Sequence, residues 1–256
     1  MDYPDTKLPM ILHLFVLLNF IFIPGMKISF LNIQQGLLFK AESIEAYLLE
    51  NNLDILGLCE IDLHPDEHPP IIQGYNCITD GRSIQWVCTY IKEHITFQQI
   101  HYDGCLPATI FQTSQMSVAT IYSHFTENPY SASKLRLSEK TRTNNIIDFL
   151  HWFSNKASAR FVVIGDYNLN VFDNTISKRR LDDWCAEVGA DQLVHEPTRI
   201  FKNTNGTERA TCIDLCIARL NDQRPSISVV DLGISDHFCV SLRFGRTNIR
   251  PVALPV

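Results

Sequence analysis

The chain has 256 residues, of which 45% are hydrophobic and 20% are charged, and its formal net charge is -6. This balance is typical of a folded globular protein and excludes a disordered, collagenous or coiled-coil chain. The acidic charge argues against nucleic-acid binding through bulk positive charge, but it is compatible with carboxylates that hold a metal ion facing a phosphate.

The first 25 residues are interpreted as an apolar N-terminal appendage. Residues 8–23 form an apolar run that ends at Pro24-Gly25. The run is shorter than the roughly 20 residues of a membrane-spanning helix, and it lacks the basic flank and cleavage site of a signal peptide. Membrane contact through this run is the alternative interpretation, which we do not favour.

The remaining chain predicts one domain over residues 26–246 and a C-terminal tail over 247–256. Short apolar runs predict strands, whereas apolar residues three or four apart predict helices. In chain order, strands are predicted at 28–33, 53–59, 86–91, 95–100, 116–122, 161–165, 211–218, 227–230 and 237–244, and helices at 41–49, 144–152 and 181–188. We interpret 86–91 and 95–100 as a hairpin or as neighbouring strands.

Strands outnumber helices in this pattern, and the helices fall between strands. Two sheets packed face to face, with helices outside, would bury this many apolar strands. The sequence therefore predicts an α/β (α+β) fold with two packed β-sheets flanked by helices. The eight cysteines are dispersed without a CxxC pair, so we expect buried thiols of an intracellular protein and neither a zinc site nor a disulfide scaffold.

Polar side chains stand at the ends of the predicted strands, where they can converge at a sheet edge. Asn32, Glu60 and the run Asp166-Tyr167-Asn168 each follow a strand, and Ser235-Asp236-His237 precedes the last one. Asp214 lies inside an apolar strand, where a carboxylate is costly to bury unless it is paired. Each residue alone fits a turn, a loop cap or a solvated strand end, but together they suggest a catalytic site.

The chemistry of this set matches the hydrolysis of a phosphate ester. Glu60 and Asp236 offer the hard oxygen ligands that suit Mg²⁺. Asp166, with Asn168 on the same turn, can hold and deprotonate a water. His237 can stabilise or protonate a phosphate oxygen, with Asp214 orienting its ring. The set predicts hydrolysis of a phosphodiester or a phosphomonoester.

Six short motifs occur in a fixed order: Leu31-Asn32-Ile33, Leu58-Cys59-Glu60, Ile121-Tyr122, Gly165-Asp166-Tyr167-Asn168, Ile213-Asp214-Leu215 and Ser235-Asp236-His237. Their order and spacing resemble the endonuclease/exonuclease/phosphatase superfamily. The resemblance implies a four-layer α/β/β/α sandwich of two mixed β-sheets, with the site at one end of the sheets.

Two further runs resemble the apurinic-type endonuclease domain of non-LTR retrotransposons. They are Pro197-Thr198-Arg199 and the segment from Gly81 through Trp86 to Lys92. This likeness implies a monomeric Mg²⁺- or Mn²⁺-dependent DNA endonuclease that acts in the nucleus, with DNA as its substrate and no obligate protein partner.

The resemblance also implies how the metal and the substrate are held. Glu60 would be the principal metal ligand, Asp236 would complete the metal site, and Asn32 would belong to the ligand shell or bind phosphate. Thr198 and Arg199 would contact the substrate, from a predicted hairpin that begins near Arg199.

The catalytic roles follow from the same resemblance. Tyr122 would hydrogen-bond the scissile phosphate, and Asp166 would activate the water or serve the leaving oxygen. Asn168 would orient the nucleophile. Asp214 and His237 would form an aspartate–histidine pair that supports charge developing on the phosphate.

Two departures from the family pattern leave alternatives open. Gln34 and Gln35 stand where the family often has an aspartate, and Phe125 replaces an asparagine of the apurinic endonucleases. One alternative is a phosphatase or phospholipase C-like member of the same fold. The other is a catalytically decayed copy that still binds nucleic acid.

Overall fold

The computed structural model describes residues 25–126, 136–202, 205–220 and 224–245. The apolar run at 8–23 and the predicted tail at 247–256 lie outside the described residues. The helices are α1 (Ala41–Glu50), α2 (Glu139–Lys156) and α3 (Ile176–Val188). The strands are β1 (Lys27–Asn32), β2 (Ile55–Leu63), β3 (Tyr75–Thr79), β4 (Gln85–Lys92), β5 (Phe97–Gln99), β6 (Ala108–Thr113), β7 (Ser117–Tyr122), β8 (Phe161–Asp166), β9 (Asp191–Gln192), β10 (Arg199–Lys202), β11 (Glu208–Thr211), β12 (Asp214–Arg219), β13 (Ser226–Val230) and β14 (Cys239–Arg243).

The strands form two six-stranded sheets and one separate hairpin. The first sheet has the order β13-β14-β1-β2-β4-β3, the second has the order β5-β6-β7-β8-β12-β9, and β10 pairs with β11. The pairs β1–β2 and β7–β8 are parallel, whereas the other strand pairs described are antiparallel. Both sheets are therefore mixed, as predicted.

Helices cover the outer face of each sheet. Ile44 and Leu48 of α1 are buried in a cluster with residues of the first sheet such as Leu56. On the second sheet, the ring of Phe161 in β8 lies 5.5 Å from the ring of Phe153 in α2, measured between centroids. The remaining core lies between the sheets, which confirms the predicted α/β/β/α sandwich.

Two helices begin earlier than their apolar patterns predict. The side chain of Ser138 caps α2 by accepting a hydrogen bond from the backbone N–H of Thr141, and Thr175 caps α3 through Lys178 in the same way. The first turn of α2 is polar, and the first turn of α3 has a single apolar residue, Ile176, which is exposed, so hydrophobic periodicity detects only the later turns. The capping residues carry the start signal.

Two strand predictions were wrong, and the sequence pattern did not predict β3, β6 or β9. The segments predicted at 86–91 and 95–100 are not a hairpin, because β4 belongs to the first sheet and β5 to the second. The single strand predicted at 211–218 covers parts of two strands. Strand β11 pairs with β10 in a separate hairpin, whereas β12 joins the second sheet. Apolar content marks a strand, but it does not specify which sheet the strand joins.

Six of the eight cysteines are buried and all eight are free thiols, which confirms the expectation of buried thiols. Within the described ranges, no helix has the length and apolar character needed to cross a bilayer.

The two sheets approach each other closely at Gly57 in β2. A Cβ atom at this position would lie 2.5 Å from Oγ1 and 2.7 Å from Cγ2 of Thr120 in β7. The Thr120 hydroxyl accepts a hydrogen bond of 2.9 Å from Thr89 in β4, and Thr89 also bonds to Thr109 at 2.6 Å. Glycine at position 57 therefore leaves room for a hydroxyl network that links the two sheets.

We expect Gly57→Ala to destabilise the protein by about 1–3 kcal/mol, because the added methyl group overpacks the space between the sheets. Urea unfolding would measure the change, and Thr120→Ala in the same chain should recover part of it. Gly245→Ala is the control, since a Cβ there meets no atom within 4 Å. Equal stability of Gly57→Ala and Gly245→Ala would contradict this account.

Candidate active site

The first sheet brings Asn32, Glu60 and His237 to one edge. Because β1 and β2 are parallel, Asn32 at the end of β1 and Glu60 near the end of β2 lie on the same side. Strand β14 runs antiparallel to β1, so it begins at that edge, just after His237. The pairing of β2 with β4 is irregular between Cys59 and Leu63, and Glu60 has a φ of 53°. This bulge turns Glu60 out of the regular pleat.

The second sheet contributes Tyr122, Asp166 and Asp214 in the same way. Tyr122 and Asp166 are paired at the carboxyl ends of the parallel strands β7 and β8. Strand β12 is antiparallel to β8, and its first residue, Asp214, pairs with Asp166. Three side chains from three strands are thus adjacent through strand register alone.

Asn32 joins the two sheets at this edge. Its fully buried amide donates from Nδ2 to Glu60 Oε1 at 2.9 Å and to Asp166 Oδ2 at 2.8 Å. Its own Oδ1 accepts a hydrogen bond from the backbone N–H of Gln34 at 2.9 Å. One amide therefore holds a carboxylate from each sheet. Its role as a metal ligand stays a prediction.

His237 and Asp214 form a buried pair. The ring Nδ1 of His237 lies 3.0 Å and 2.9 Å from the two carboxylate oxygens of Asp214. Burial by itself lowers the pKa of His237, but the charge and hydrogen bond of Asp214 outweigh it and raise that pKa to about 9. With Nδ1 donating to Asp214, the imidazole is protonated at neutral pH and its Nε2–H is left to face a ligand.

The pKa of the Asp166 carboxyl group is raised toward neutral pH. Burial and then the charge of Asp214 raise the pKa of Asp166 to about 7. Its Oδ1 accepts a hydrogen bond of 2.8 Å from the backbone N–H of Asn168, which has a φ of 49°. The Asn168 side chain donates from Nδ2 to the carbonyl of Ser123 at 2.7 Å. The turn after β8 therefore fixes both predicted residues.

Tyr122 lies against Glu60 in an aromatic setting. Burial, followed by the charge of Glu60, raises the pKa of the Tyr122 hydroxyl well above its usual range. The tyrosine ring lies 4.4 Å from the ring of His124 and 6.0 Å from the ring of Trp86. The hydroxyl thus stays protonated and able to donate a hydrogen bond.

Asp236 is held by Arg199. Arg199 donates to Asp236 Oδ2 from Nε at 2.9 Å and from Nη2 at 2.6 Å. The other oxygen, Oδ1, is buried, lacks a hydrogen-bond partner and lies 3.6 Å from Nε2 of His237. Gln34, which stands where the family often has an aspartate, accepts a hydrogen bond from the backbone N–H of Asp236 at 3.2 Å. Arg199, predicted to contact the substrate, and Asp236, predicted to bind the metal, thus form an ion pair with each other.

Thr198 lies behind Asp214. Its side chain is fully buried, and its Oγ1 accepts hydrogen bonds from the backbone N–H groups of Ile213, at 3.1 Å, and Asp214, at 3.0 Å. Thr198 thus positions Asp214, and through it the ring of His237. Its contact with a substrate stays a prediction.

The residues present fit a divalent cation. Among the described residues, Asp166, Asp214 and His237 place ligand atoms within 4.8 Å of one another. However, both Asp214 oxygens already contact His237, so this pair is better suited to orienting the ring than to holding an ion. Glu60, Asp166 and the unpartnered Oδ1 of Asp236 supply the hard oxygens that Mg²⁺ prefers. The repulsion that raises the pKa of Asp166 would be relieved by a cation.

Sequence reasoning missed two contributors to this edge. Lys40 donates from Nζ to the carbonyl of Ile33, and its charge acts on Asp236 and Glu60. Ser123 supplies only a backbone carbonyl, to Asn168. A backbone acceptor leaves no trace in residue type, and a lysine in a loop is indistinguishable from a solvated one until the loop is placed.

Comparisons with known proteins agree with the fold. The sequence matches the Endonuclease/Exonuclease/phosphatase family over residues 30–237. No curated protein sequence matches the chain.

Solved structures share the fold at low identity. The 3′ phosphatase NExo from Neisseria, bound to a product DNA hairpin, is 17% identical with a TM-score of 0.66, covering 86% of this chain and 99% of its own. An AP endonuclease from Archaeoglobus fulgidus is 14% identical with a TM-score of 0.64 and the same coverage. The endonuclease domain of TRAS1, a telomere-specific non-LTR retrotransposon, is 15% identical with a TM-score of 0.58, covering 88% of this chain and 100% of its own.

We expect Asp214→Asn to lower the pKa of His237 in metal-free protein from about 9, because the charge and hydrogen bond of Asp214 no longer oppose the effect of burial. An NMR pH titration of the His237 ring in the presence of a chelator would measure this. Asp182→Asn, on the outer surface of α3 beside Lys178, is the control and should leave the titration unchanged.

The same pair sets a pH dependence of stability. Because the folded-state pKa of His237 is raised, its contribution is full below pH 6.5 and is lost as pH rises through about 9. We expect the free energy of unfolding of the wild type to fall by up to about 3 kcal/mol across this window, and that of Asp214→Asn to fall less. Parallel pH profiles for the two proteins would refute the assignment.

Proposed function

The chain belongs to the endonuclease/exonuclease/phosphatase family, and from this membership we propose that it is a Mg²⁺- or Mn²⁺-dependent DNA endonuclease that nicks DNA by in-line attack of water. Members of the family hydrolyse phosphodiester bonds, so the class of reaction comes with the membership. The metal, the DNA substrate and the internal cut are the proposal.

One observation carries the proposal. A hydrogen-bonded chain runs from Glu60 through the Asn32 amide to Asp166, and Asp166 adjoins the buried pair of Asp214 and His237. This series of contacts brings together a candidate metal ligand, a candidate base and a protonated imidazole. Phosphodiester hydrolysis needs these three functions in one place.

DNA is the substrate that the comparisons favour. The TRAS1 domain and the Archaeoglobus protein are described as endonucleases, and the Neisseria phosphatase is bound to a DNA hairpin. In this chain, the β10–β11 hairpin begins at Arg199, beside Asp236, and carries further cations at Lys202 and Arg209. Cations on a strand pair at the rim of the site suit the phosphate backbone of a duplex.

Glu60, Asp236 and Asn32 would hold the metal ion or orient its ligands. When bound, the ion neutralises negative charge on the phosphate and favours attack at phosphorus. The bidentate bond from Arg199 keeps one oxygen of Asp236 occupied and leaves Oδ1 available for the ion.

The side chains of the chain itself account for the proton transfers and the positioning of the phosphate. The carboxylate of Asp166 can accept a proton from the attacking water. Asn168 is fixed beside it to orient that water. His237, protonated below a pKa of about 9, donates from Nε2 to a phosphate oxygen. The protonated hydroxyl of Tyr122 can donate to the same phosphate group.

We expect the purified protein to convert supercoiled plasmid to the nicked form with Mg²⁺ or Mn²⁺ and to lose this activity with a chelator. Glu60→Gln and His237→Ala should each reduce the nicking rate by about 10²–10⁴-fold, because each removes a group that acts on the reacting phosphate. Gel densitometry over time would give the rates.

Glu67→Gln is the matched control for Glu60→Gln, since Glu67 bonds only its own loop at the backbone of His64 and lies outside the site. Nicking by Glu60→Gln at the rate of Glu67→Gln would overturn the assignment of the site. Release of phosphate from inositol phosphates or of choline phosphate from sphingomyelin, without nicking, would select the phosphatase or phospholipase alternative.

Metal binding separates an active enzyme from a decayed copy that only binds nucleic acid. We expect Mn²⁺ to raise the melting temperature of the wild type in proportion to the logarithm of its concentration above Kd, and Glu60→Gln to abolish most of the shift. Calorimetric titration would confirm the stoichiometry. DNA binding without any Mn²⁺ or Mg²⁺ binding would instead identify a decayed copy.

A further inference from the structure

Phe39 is an exposed aromatic residue in the loop between β1 and α1. Its side chain is 97% exposed, and the neighbouring Leu38 is 46% exposed. The two residues on either side of this pair differ sharply from it, because Leu37 is buried and Lys40 is tied to the carbonyl of Ile33. The ring of Phe39 is therefore free to contact a ligand with either face.

The loop that carries Phe39 is built on the candidate active site. The backbone N–H of Gln35 donates to the carbonyl of Glu60 at 2.8 Å, and the side chain of Gln34 accepts from the backbone of Asp236. The loop therefore contacts both predicted metal-binding carboxylate residues through its first two positions.

The second half of the loop is fixed by a turn at Gly36. The backbone N–H groups of Phe39 and Lys40 donate to the carbonyl of Gly36 at 3.0 Å and 3.1 Å. Gly36 has a φ of 73°, which favours glycine, and a Cβ there would lie 3.6 Å from Cδ2 of Phe39. The backbone of Phe39 is thus held at a defined position, one turn away from the segment that contacts Glu60.

We propose that Phe39 stacks on a nucleobase of the DNA substrate beside the scissile phosphodiester, and so positions that phosphodiester over the site. The inference rests on the proposed function, since it requires a nucleic-acid substrate. Stacking on an exposed ring suits any base, because every base has a π-face. Phe39 is accordingly a substrate-positioning residue that does not take part in proton transfer.

The surroundings of Phe39 favour a base over a lipid or a protein surface. The apolar area is confined to Phe39 and Leu38, between polar Gln34 and Gln35 on one side and cationic Lys40 on the other. A docking surface for a membrane or a protein is a contiguous apolar patch. A single ring beside a cation, at the rim of a phosphodiesterase site, matches a nucleotide with its base and its phosphate.

The test compares Phe39→Ala, Phe39→Trp and Phe39→Leu with Ile71→Ala. Ile71 is 98% exposed. The carbonyl of its neighbour Pro70 accepts a hydrogen bond from the hydroxyl of Tyr90. Tyr90 lies in the half of β4 that pairs with the start of β2. Ile71→Ala therefore removes an equally exposed apolar side chain at the opposite end of the sheet. Binding of the full chain to an oligonucleotide carrying 2-aminopurine next to the cleavage position is measured with a chelator present, and nicking is measured with Mg²⁺.

We expect Phe39→Ala to weaken oligonucleotide binding by about 5-fold to 150-fold, the range that loss of one stacked base produces. It should also abolish the 2-aminopurine quenching that the wild type produces. Phe39→Trp should keep the wild-type binding and the wild-type quenching, Phe39→Leu should lose the quenching, and Ile71→Ala should behave as wild type. In nicking assays the loss should appear in KM more than in kcat.

The failure of this inference is distinguishable from the failure of the proposed function. Wild-type nicking together with unchanged binding, quenching and KM in Phe39→Ala would overturn the stacking role alone. Unchanged DNA binding by Phe39→Ala with loss of binding to lipid vesicles would also overturn it and assign the ring to a membrane. Absence of nicking by the wild type would overturn the proposed function itself.

Discussion

The site depends on one buried amide that holds two carboxylates together. Asn32 donates from a single nitrogen to Glu60 of its own sheet and to Asp166 of the other. Two like charges at this distance would repel one another, and buried donors and acceptors are costly when unpaired. The amide offsets both costs and sets the spacing between the sheet edges.

Around this amide, the charges are arranged so that negative charge is left over. Asp214 is matched by His237, and Asp236 is matched on one oxygen by Arg199, whereas Glu60 and Asp166 have no cation in direct contact among the described residues. Burial and then the charge of Asp214 raise the pKa of Asp166 toward neutrality, and the unmatched negative charge favours a divalent cation. A carboxyl group with a raised pKa and a candidate cation site thus lie at the same edge.

The backbone at the site is strained where the functional side chains are presented. Glu60, Asp62 and Asn168 all have φ values near +50°, and so do Gln34 and Gln35 in the loop that carries Phe39. Non-glycine residues adopt this conformation at a cost of order 1–3 kcal/mol each, and such positions cluster at functional sites. Regular strands supply the rigid frame, and short strained segments at their ends aim the side chains.

The sequence by itself determined the class of fold and the family, and it predicted polar residues that lie together at one edge of the sheets, because apolar strands, the polar residues at their ends and the order of six motifs are all local features. It could not assign β4 and β5 to different sheets or show that Thr198 lies behind Asp214, since strand partners and burial depend on contacts between distant segments. Only the tertiary structure decided that Arg199 binds Asp236, that one amide links Glu60 to Asp166, and that Phe39 faces solvent beside them. Hydrogen bonds and charges act through space, and the distances that govern them are set by how the two sheets pack.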